Sequence, residues 1–131
     1  MAETETRTHI VQVGTVMVPV SNQDRALDFF LDKLGFEKRI DTPYGDGERW
    51  VEVAPPGAAT TVALVPPREG ETAGIQTRVG FNSDDIDADH ANLRARGVDT
   101  DPAVMHMGDP VPPMFFFRDH DGNNFLIVQR D

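Results

Sequence analysis

Four histidines are the side chains in this sequence best suited to bind a metal ion or to transfer a proton near neutral pH. His9 lies near the amino terminus, His90 in a predicted helix, His106 in the loop HMGDPVPP and His120 in the turn DHDGN. No two of them share a metal-ligand spacing such as His-x-x-x-His. The pattern favours surface or structural histidines, and His106 is the first candidate for a site because loops often border binding grooves.

The clustered carboxylates are explained by local structure. Asp84, Asp85 and Asp87 come at the predicted start of a helix, where negative charge is favourable. Asp119 and Asp121 suit the turn DHDGN. The sequence contains no cysteine, no glycine-rich phosphate loop and no nucleophile elbow. It therefore predicts neither thiol chemistry nor a pair of catalytic carboxylates.

A repeated pattern of elements must position these residues. Each copy consists of a β-rich run, an acidic turn, an amphipathic helix that ends at a glycine, and further β-rich runs. A single shift along the chain superimposes four pairs of residues: Ser21 and Ser83, Ala26 and Ala88, Leu31 and Leu93, Gly35 and Gly97. The sequence therefore predicts a duplicated β-α-β-β-β module.

The repeat sets the predicted boundaries within one domain, residues 1–131. After a loose tail at 1–9, the first module (10–65) is predicted to hold a strand at 10–20, a helix at 24–34 capped by Asn22, and strands at 36–41, 49–53 and 60–65. Residues 66–76 are rich in Pro, Gly and charge and are predicted to link the modules. The second module (77–130) is predicted to hold a strand at 77–82, a helix at 85–96 and strands at 98–105, 111–118 and 123–129.

Composition limits the classes of partner. A chain of 131 residues with 39% hydrophobic content can bury a core without disulfides. The net charge of -10 argues against nucleic acid as a partner, because phosphate binding requires clustered Lys and Arg. No apolar run approaches the length of a membrane span, and MAETETRTHI has no apolar segment typical of a signal peptide. We therefore expect a cytoplasmic protein with neither nucleic acid nor membrane as a partner.

Three runs of sequence resemble a known superfamily. The runs VPVSNQDRALDFFLDKLGF, DDIDADHANLRARGV and FFFRDHDGNNFLIVQ are similar to those of the vicinal oxygen chelate superfamily, which includes glyoxalase I, extradiol dioxygenases, fosfomycin-resistance enzymes and bleomycin-resistance proteins. The resemblance implies an α+β fold in which two βαβββ modules curl their sheets into a half-barrel groove. It implies little about function, because lyases, dioxygenases and pure binders share this scaffold.

The resemblance also implies where a metal ion would be bound. Metal-dependent members place ligands on the first and last strands of each module, and these positions fall on Thr15, Leu64, Arg78 (or Thr77 in a register shifted by one) and Leu126. Leucine offers no donor atom, and a guanidinium repels a cation. We therefore expect no metal and no cofactor.

The same positions suit an apolar ligand site. If the register of the resemblance holds, Met17, Trp50, Met114 and Phe116 join Thr15, Leu64 and Leu126 in the groove, with His106 at its border. Arg78 would supply a positive spot that pairs with a carboxylate, faces solvent, or binds an anionic or carbonyl group of a ligand. A largely apolar pocket with a few polar groups is typical of small-molecule sites.

These observations favour a metal-independent binding protein of the bleomycin-resistance type, which sequesters an aromatic or amphipathic ligand. One alternative is an enzyme of the same fold. It would be a metal-free lyase or isomerase that uses Arg78 and a loop histidine, or a metal enzyme with ligands among His106, His120 and Glu52. The other alternative is a non-catalytic scaffold subunit with a filled groove. By analogy with members of this length, we expect a homodimer in which both chains border each groove.

Overall fold

The structure is a computed structural model that describes residues 7–131, so part of the predicted tail, 1–6, lies outside the described residues. Its first module contains β1 (Thr15–Pro19), α1 (Gln23–Asp28) with a π-helical turn (Phe29–Lys33), β2 (Glu37–Tyr44), β3 (Glu48–Ala54) and β4 (Thr61–Val65). Its second module contains β5 (Gln76–Ser83), α2 (Ile86–Ala95), β6 (Asp99–Thr100), β7 (Met114–Arg118) and β8 (Asn124–Gln129). The duplicated βαβββ order predicted from the repeat is confirmed.

Each module forms one four-stranded mixed sheet. Sheet A has the strand order β1-β4-β3-β2, and sheet B has the equivalent order β5-β8-β7-β6. In both sheets the first strand pairs in parallel with the last strand of its module, while the other pairs are antiparallel. The parallel pair requires a crossover connection, and the helix of each module lies in that crossover.

The structure has the predicted cap at Asn22 and the predicted stops at Gly35 and Gly97, whereas Asp85, predicted as the first residue of the second helix, is its N-cap. The Asn22 side chain accepts a hydrogen bond from the Arg25 backbone N–H, and Asp85 accepts one from the Ala88 backbone N–H. Gly35 and Gly97, just beyond the helical segments, have φ values of 72° and 78°. A residue with a Cβ rarely adopts this left-handed conformation, so glycine ends each helix at little cost.

Both sheets bury one face against a single hydrophobic core. Phe29 of the π-helical turn stacks on Phe117 with ring centroids 6.3 Å apart, and Phe30 meets Phe125 edge to face at 5.7 Å. The side chains that line this core from sheet A are Val18, Val51, Val53, Val62 and Leu64, and those from sheet B are Phe115, Phe117, Phe125 and Ile127. Because the sheets share one core, their other faces point away from each other.

Asn123 joins the two modules to the segment that links them. Its side chain is completely buried; the amide nitrogen donates to the Pro19 carbonyl in β1 and to the Asp119 carboxylate, and its oxygen accepts from Gly74 N and Ile75 N. Gly74 has a φ of 89°, and a Cβ there would lie 2.6 Å from the Asp121 carbonyl oxygen. The end of the linker is therefore held tightly against the turn 119–123.

Three predicted strand boundaries are wrong. The first strand begins at Thr15 rather than at Ile10. Its pairing with β4 starts at Thr15 and Thr61, beside a hydrogen bond from the Thr61 N–H to the Gly14 carbonyl. The residues before it, Ile10, Val11 and Val13, are exposed. The strand predicted at 98–105 is reduced to β6 and an isolated bridge at Met105, since Pro102 lacks the N–H that a ladder needs. The strand predicted at 111–118 begins only at Met114, after the prolines at 112 and 113.

None of the helices in residues 7–131 is long and apolar enough to cross a membrane.

Candidate functional site

The face of sheet A that points away from the core carries aromatic and thioether side chains. We call it outer face A, defined by Met17, Trp50, Glu52 and Thr61. Met17 is 54% exposed although it lies mid-strand, and it borders a cavity of about 420 Å³ together with Trp50 and Tyr44. The rings of Tyr44 and Trp50 meet edge to face at 6.4 Å. This face offers flat, polarisable surface, which suits an aromatic ligand.

Glu52 is a carboxylate of outer face A that both of its face neighbours hold by hydrogen bonds. One carboxylate oxygen accepts a hydrogen bond of 2.6 Å from the Trp50 indole N–H, and the other accepts one of 2.6 Å from the Thr61 hydroxyl. Trp50 and Glu52 are two residues apart on β3, so both side chains stand on the same face. An ionised carboxylate can accept about four hydrogen bonds. Glu52 is therefore fixed in orientation and can still accept hydrogen bonds from a ligand.

The corresponding surface of sheet B is more apolar. We call it outer face B, defined by Met114, Phe116 and Leu126, which are half-buried and alternate with core residues along β7 and β8. Phe116 and Leu126 are paired directly across the two strands. They border a cavity of about 360 Å³ with Gln76, Arg78, Val79 and Asn124. Outer face B thus has an apolar floor with polar groups at one side.

A bulge in β5 carries Arg78. Gln76 pairs with Asn124 and Gly80 with Leu126, so three residues of β5 lie opposite one residue of β8. The Thr77 hydroxyl stabilises this bulge, because it donates to the Asn124 carbonyl at 2.7 Å and accepts from the Val79 N–H at 3.1 Å. Arg78 itself has a φ of 60°. That left-handed conformation costs roughly 1–2 kcal/mol for a residue with a Cβ.

The other arginine near outer face B is paired. Arg118 donates to Asp99 at 2.9 Å and to Asp101 at 3.1 Å. The hydrogen bond from Arg118 lowers the pKa of Asp99, and the bond to Asp99 raises the pKa of Arg118. In the part of the chain that the structure describes, Arg78 makes no side-chain hydrogen bond and no ion pair. Arg78 therefore differs from Arg118 in having its charge free.

The predicted site residues fall into two groups. The structure brings Met17 and Trp50 together on outer face A, and it brings Arg78, Met114, Phe116 and Leu126 together on or beside outer face B. Thr15 is exposed at the start of β1. His106 is exposed in the loop 101–113 and borders none of the cavities described above.

The placement of Leu64 in the groove is wrong. Leu64 is completely buried in the core, because it pairs with Val18, whereas Ala63 pairs with Met17 and lies on outer face A. Sequence reasoning also left Glu52 and Tyr44 out of the predicted groove. A charged residue between Val51 and Val53, two positions after Trp50, is the signal that marks Glu52.

The donor atoms on the two outer faces do not match a metal site. Over residues 7–131, no three His, Cys, Asp or Glu side chains are grouped closely enough to hold a metal ion. The same face of β3 carries two carboxylates, Glu48 and Glu52. The partners of Glu52, Trp50 and Thr61, are hydrogen-bond donors rather than the imidazole or carboxylate ligands that divalent ions prefer. The residues present therefore do not fit the metal-binding arrangement of the metal-dependent members.

Comparisons with known proteins match nearly the whole chain. The structure of TnmS3, an antibiotic binding protein from Streptomyces sp. CB03234, superposes with a TM-score of 0.84 at 35% identity and covers 95% of this chain and 100% of that chain. A structure from Sphaerobacter thermophilus DSM 20745 gives a TM-score of 0.88 at 36% identity, covering 94% and 100%. The uncharacterized protein YetH of Bacillus subtilis (strain 168) is 34% identical over 123 residues, which are 92% of this chain and 99% of YetH.

A family model also matches most of the chain. The model described as Glyoxalase/Bleomycin resistance protein/Dioxygenase superfamily matches residues 12–127, which include both modules and both outer faces. This is the superfamily that the three runs of sequence resemble. The chain belongs to the glyoxalase/bleomycin resistance protein/dioxygenase superfamily.

Proposed function

We propose that this protein is a metal-independent small-molecule-binding protein of the cytoplasm, which sequesters an aromatic or amphipathic ligand. The observation that carries the proposal is outer face B, where Met114, Phe116 and Leu126 form an apolar floor beside polar side chains. Small-molecule sites commonly combine a mostly apolar lining with a few placed polar groups. A flat aromatic ligand matches such a floor in shape and polarity.

The likeness to TnmS3 supports binding rather than catalysis. TnmS3 is described as an antibiotic binding protein, and it shares 35% identity with this chain over nearly its whole length. Metal independence is supported by the chemistry of the two outer faces: the carboxylate of Glu52 is held by two hydrogen-bond donors, and the floor of outer face B is apolar with the cation Arg78 beside it.

A second copy of the chain would complete the groove. The two outer faces point away from each other within one chain, because the sheets share the core between them. Each face alone supplies one wall of a binding site. In a symmetric homodimer, outer face A of one copy faces outer face B of the other, so two equivalent grooves form. Residues 1–131 would then form one domain, which contributes outer face A to one groove and outer face B to the other.

Binding is tested by fluorescence and thermal shift in the presence of a chelator. Phenylnaphthylamine, a neutral aromatic probe, should bind saturably and raise the melting temperature with EDTA present. Phe116→Ala should weaken binding about tenfold or more, because Phe116 forms much of the apolar floor. Met107→Ala is the matched control, since Met107 is 61% exposed and lies in the loop between β6 and β7. Equal binding by the wild type and both variants would contradict a site on outer face B.

One observation favours a second candidate function, an enzyme of the same fold. Glu52 is oriented through both carboxylate oxygens and stands on outer face A, as a general base for a ligand bound there would. Under this alternative, a bound compound would be converted to a product of different mass, and Glu52→Gln would stop conversion but leave binding intact. Recovery of every bound compound unchanged would leave sequestration as the function.

A further inference from the structure

Arg78 combines an unusual backbone conformation with a free positive charge. Among residues 7–131 it is the only non-glycine residue with a positive φ. Strain of this kind persists only where the surrounding structure holds it, and such residues are concentrated at ligand-binding sites. Bulges in edge strands likewise re-aim a side chain. The fold therefore maintains Arg78 in a conformation that a straight strand would avoid.

The surroundings of Arg78 leave its charge available. Arg78 borders a second cavity, of about 820 Å³, and the acidic side chain in its lining, Asp84, is already paired with Arg130 at 2.6 Å. Arg78 borders the cavity over Phe116 and Leu126. A guanidinium next to an apolar floor, with no carboxylate partner among residues 7–131, is suited to an anionic oxygen on an aromatic ligand.

We infer that Arg78 is the anion-recognising residue of the ligand site, and that the ligand is an acidic aromatic compound. This inference rests on the proposed function, because it names the ligand class of the same groove. The negative oxygen of the ligand accepts hydrogen bonds from the guanidinium, while its rings lie on Phe116 and Leu126. The net charge of -10 repels anions overall, so any preference for an acidic ligand must come from a local cation.

Two probes with the same ring system test this inference. Anilinonaphthalene sulfonate carries a negative sulfonate, and phenylnaphthylamine is its neutral counterpart. We expect the wild type to bind the sulfonate at least as tightly as the neutral probe. Arg78→Gln should weaken sulfonate binding about tenfold and change binding of the neutral probe less than about twofold. Arg25→Gln is the matched control, because it removes the same charge from the exposed side of α1 and should change neither affinity.

A third variant separates recognition from folding. Arg78→Gly removes the left-handed strain, so it should raise the melting temperature by a few degrees while it loses the preference for the sulfonate. Such opposite changes are not expected of a residue that only supports the fold.

The outcomes distinguish this inference from the proposed function. If neither probe binds the wild type, the proposed function fails and the inference fails with it. If both probes bind but Arg78→Gln weakens them equally or not at all, the groove binds aromatic ligands and only the inference is overturned. A wild-type protein that prefers the neutral probe would also overturn it.

Discussion

Replacing Asn123 with alanine should destabilise the protein strongly. The variant loses four hydrogen bonds of 2.8–2.9 Å: those to the Pro19 carbonyl and the Asp119 carboxylate are buried, and those from Gly74 N and Ile75 N are partly buried. A net contribution of about 1 kcal/mol for each bond gives a loss of about 4 kcal/mol in the free energy of unfolding. For a chain of this length, that corresponds to a fall of about 15 °C in melting temperature.

Asn124 offers a matched control for the same substitution. It is the next residue along the chain, and its side chain donates to Gln76 at the surface rather than to buried groups. Asn124→Ala should therefore change the free energy of unfolding by less than about 1 kcal/mol. Urea unfolding followed by circular dichroism gives both values under identical conditions.

Asn123→Asp tests whether the amide nitrogen of Asn123, which donates to Pro19 and Asp119, is needed for stability. This variant keeps the shape and the acceptor oxygen but places a second carboxylate against Asp119, whose pKa is already raised by burial. Two buried carboxylates repel each other when both are ionised, so the variant should be unstable at neutral pH. Because the folded-state pKa of the new carboxyl is raised, its stability should increase as the pH falls and one group is protonated.

Two results would contradict the role assigned to the Asn123 side chain. If Asn123→Ala unfolds within about 1 kcal/mol of the wild type, or no more easily than Asn124→Ala, the four hydrogen bonds do not hold the modules together. A loss of stability in Asn123→Asp as the pH falls would show that its carboxylate is not buried against Asp119.

Three further outcomes are expected. Phe117→Ala should lower the free energy of unfolding by about 3–5 kcal/mol, because Phe117 stacks on Phe29 of the first module and Phe125 of the second. Unfolding should remain one cooperative transition by circular dichroism and fluorescence, and two separate transitions would contradict a shared core. Arg118 lowers the pKa of Asp99, so this pair stabilises the fold above the ordinary pKa of 3.8 and loses its effect as the pH falls through the lower folded value. Arg118→Gln should flatten that acid dependence in urea titrations. Trp50 is the sole tryptophan, so an aromatic ligand on outer face A should change its emission, and an unchanged spectrum at saturation would place the ligand elsewhere.

Local signals made the order of elements predictable. Asn22 and the glycines at 35 and 97 mark helix ends through capping and positive φ, which depend on neighbouring residues alone. The strand predicted at 111–118 includes the three phenylalanines of β7, and the structure buries Phe115 and Phe117 completely. These features do not require knowledge of the tertiary fold.

Register and long-range contacts were not predictable in the same way. Leu64 was assigned to the wrong face because a shift of one residue moves every side chain of a strand to the other side. The bulge at 77–79 depends on a hydrogen bond from Thr77 to Asn124, a residue distant in sequence. The role of Asn123 likewise depends on Pro19, which lies in the other module. Such contacts are set by how the sheets assemble.

In the proposed homodimer, a ligand binds between outer face A of one copy and outer face B of the other. A mixture of Trp50→Ala and Phe116→Ala tests this arrangement, with phenylnaphthylamine as the probe. Each variant damages one wall of both grooves in its own dimer, so each alone should bind poorly. After subunit exchange, about half of the dimers contain one chain of each kind and have one intact groove, so about a quarter of all sites should recover wild-type affinity. No recovery in the mixture, although the wild type binds, would contradict a groove shared between two chains.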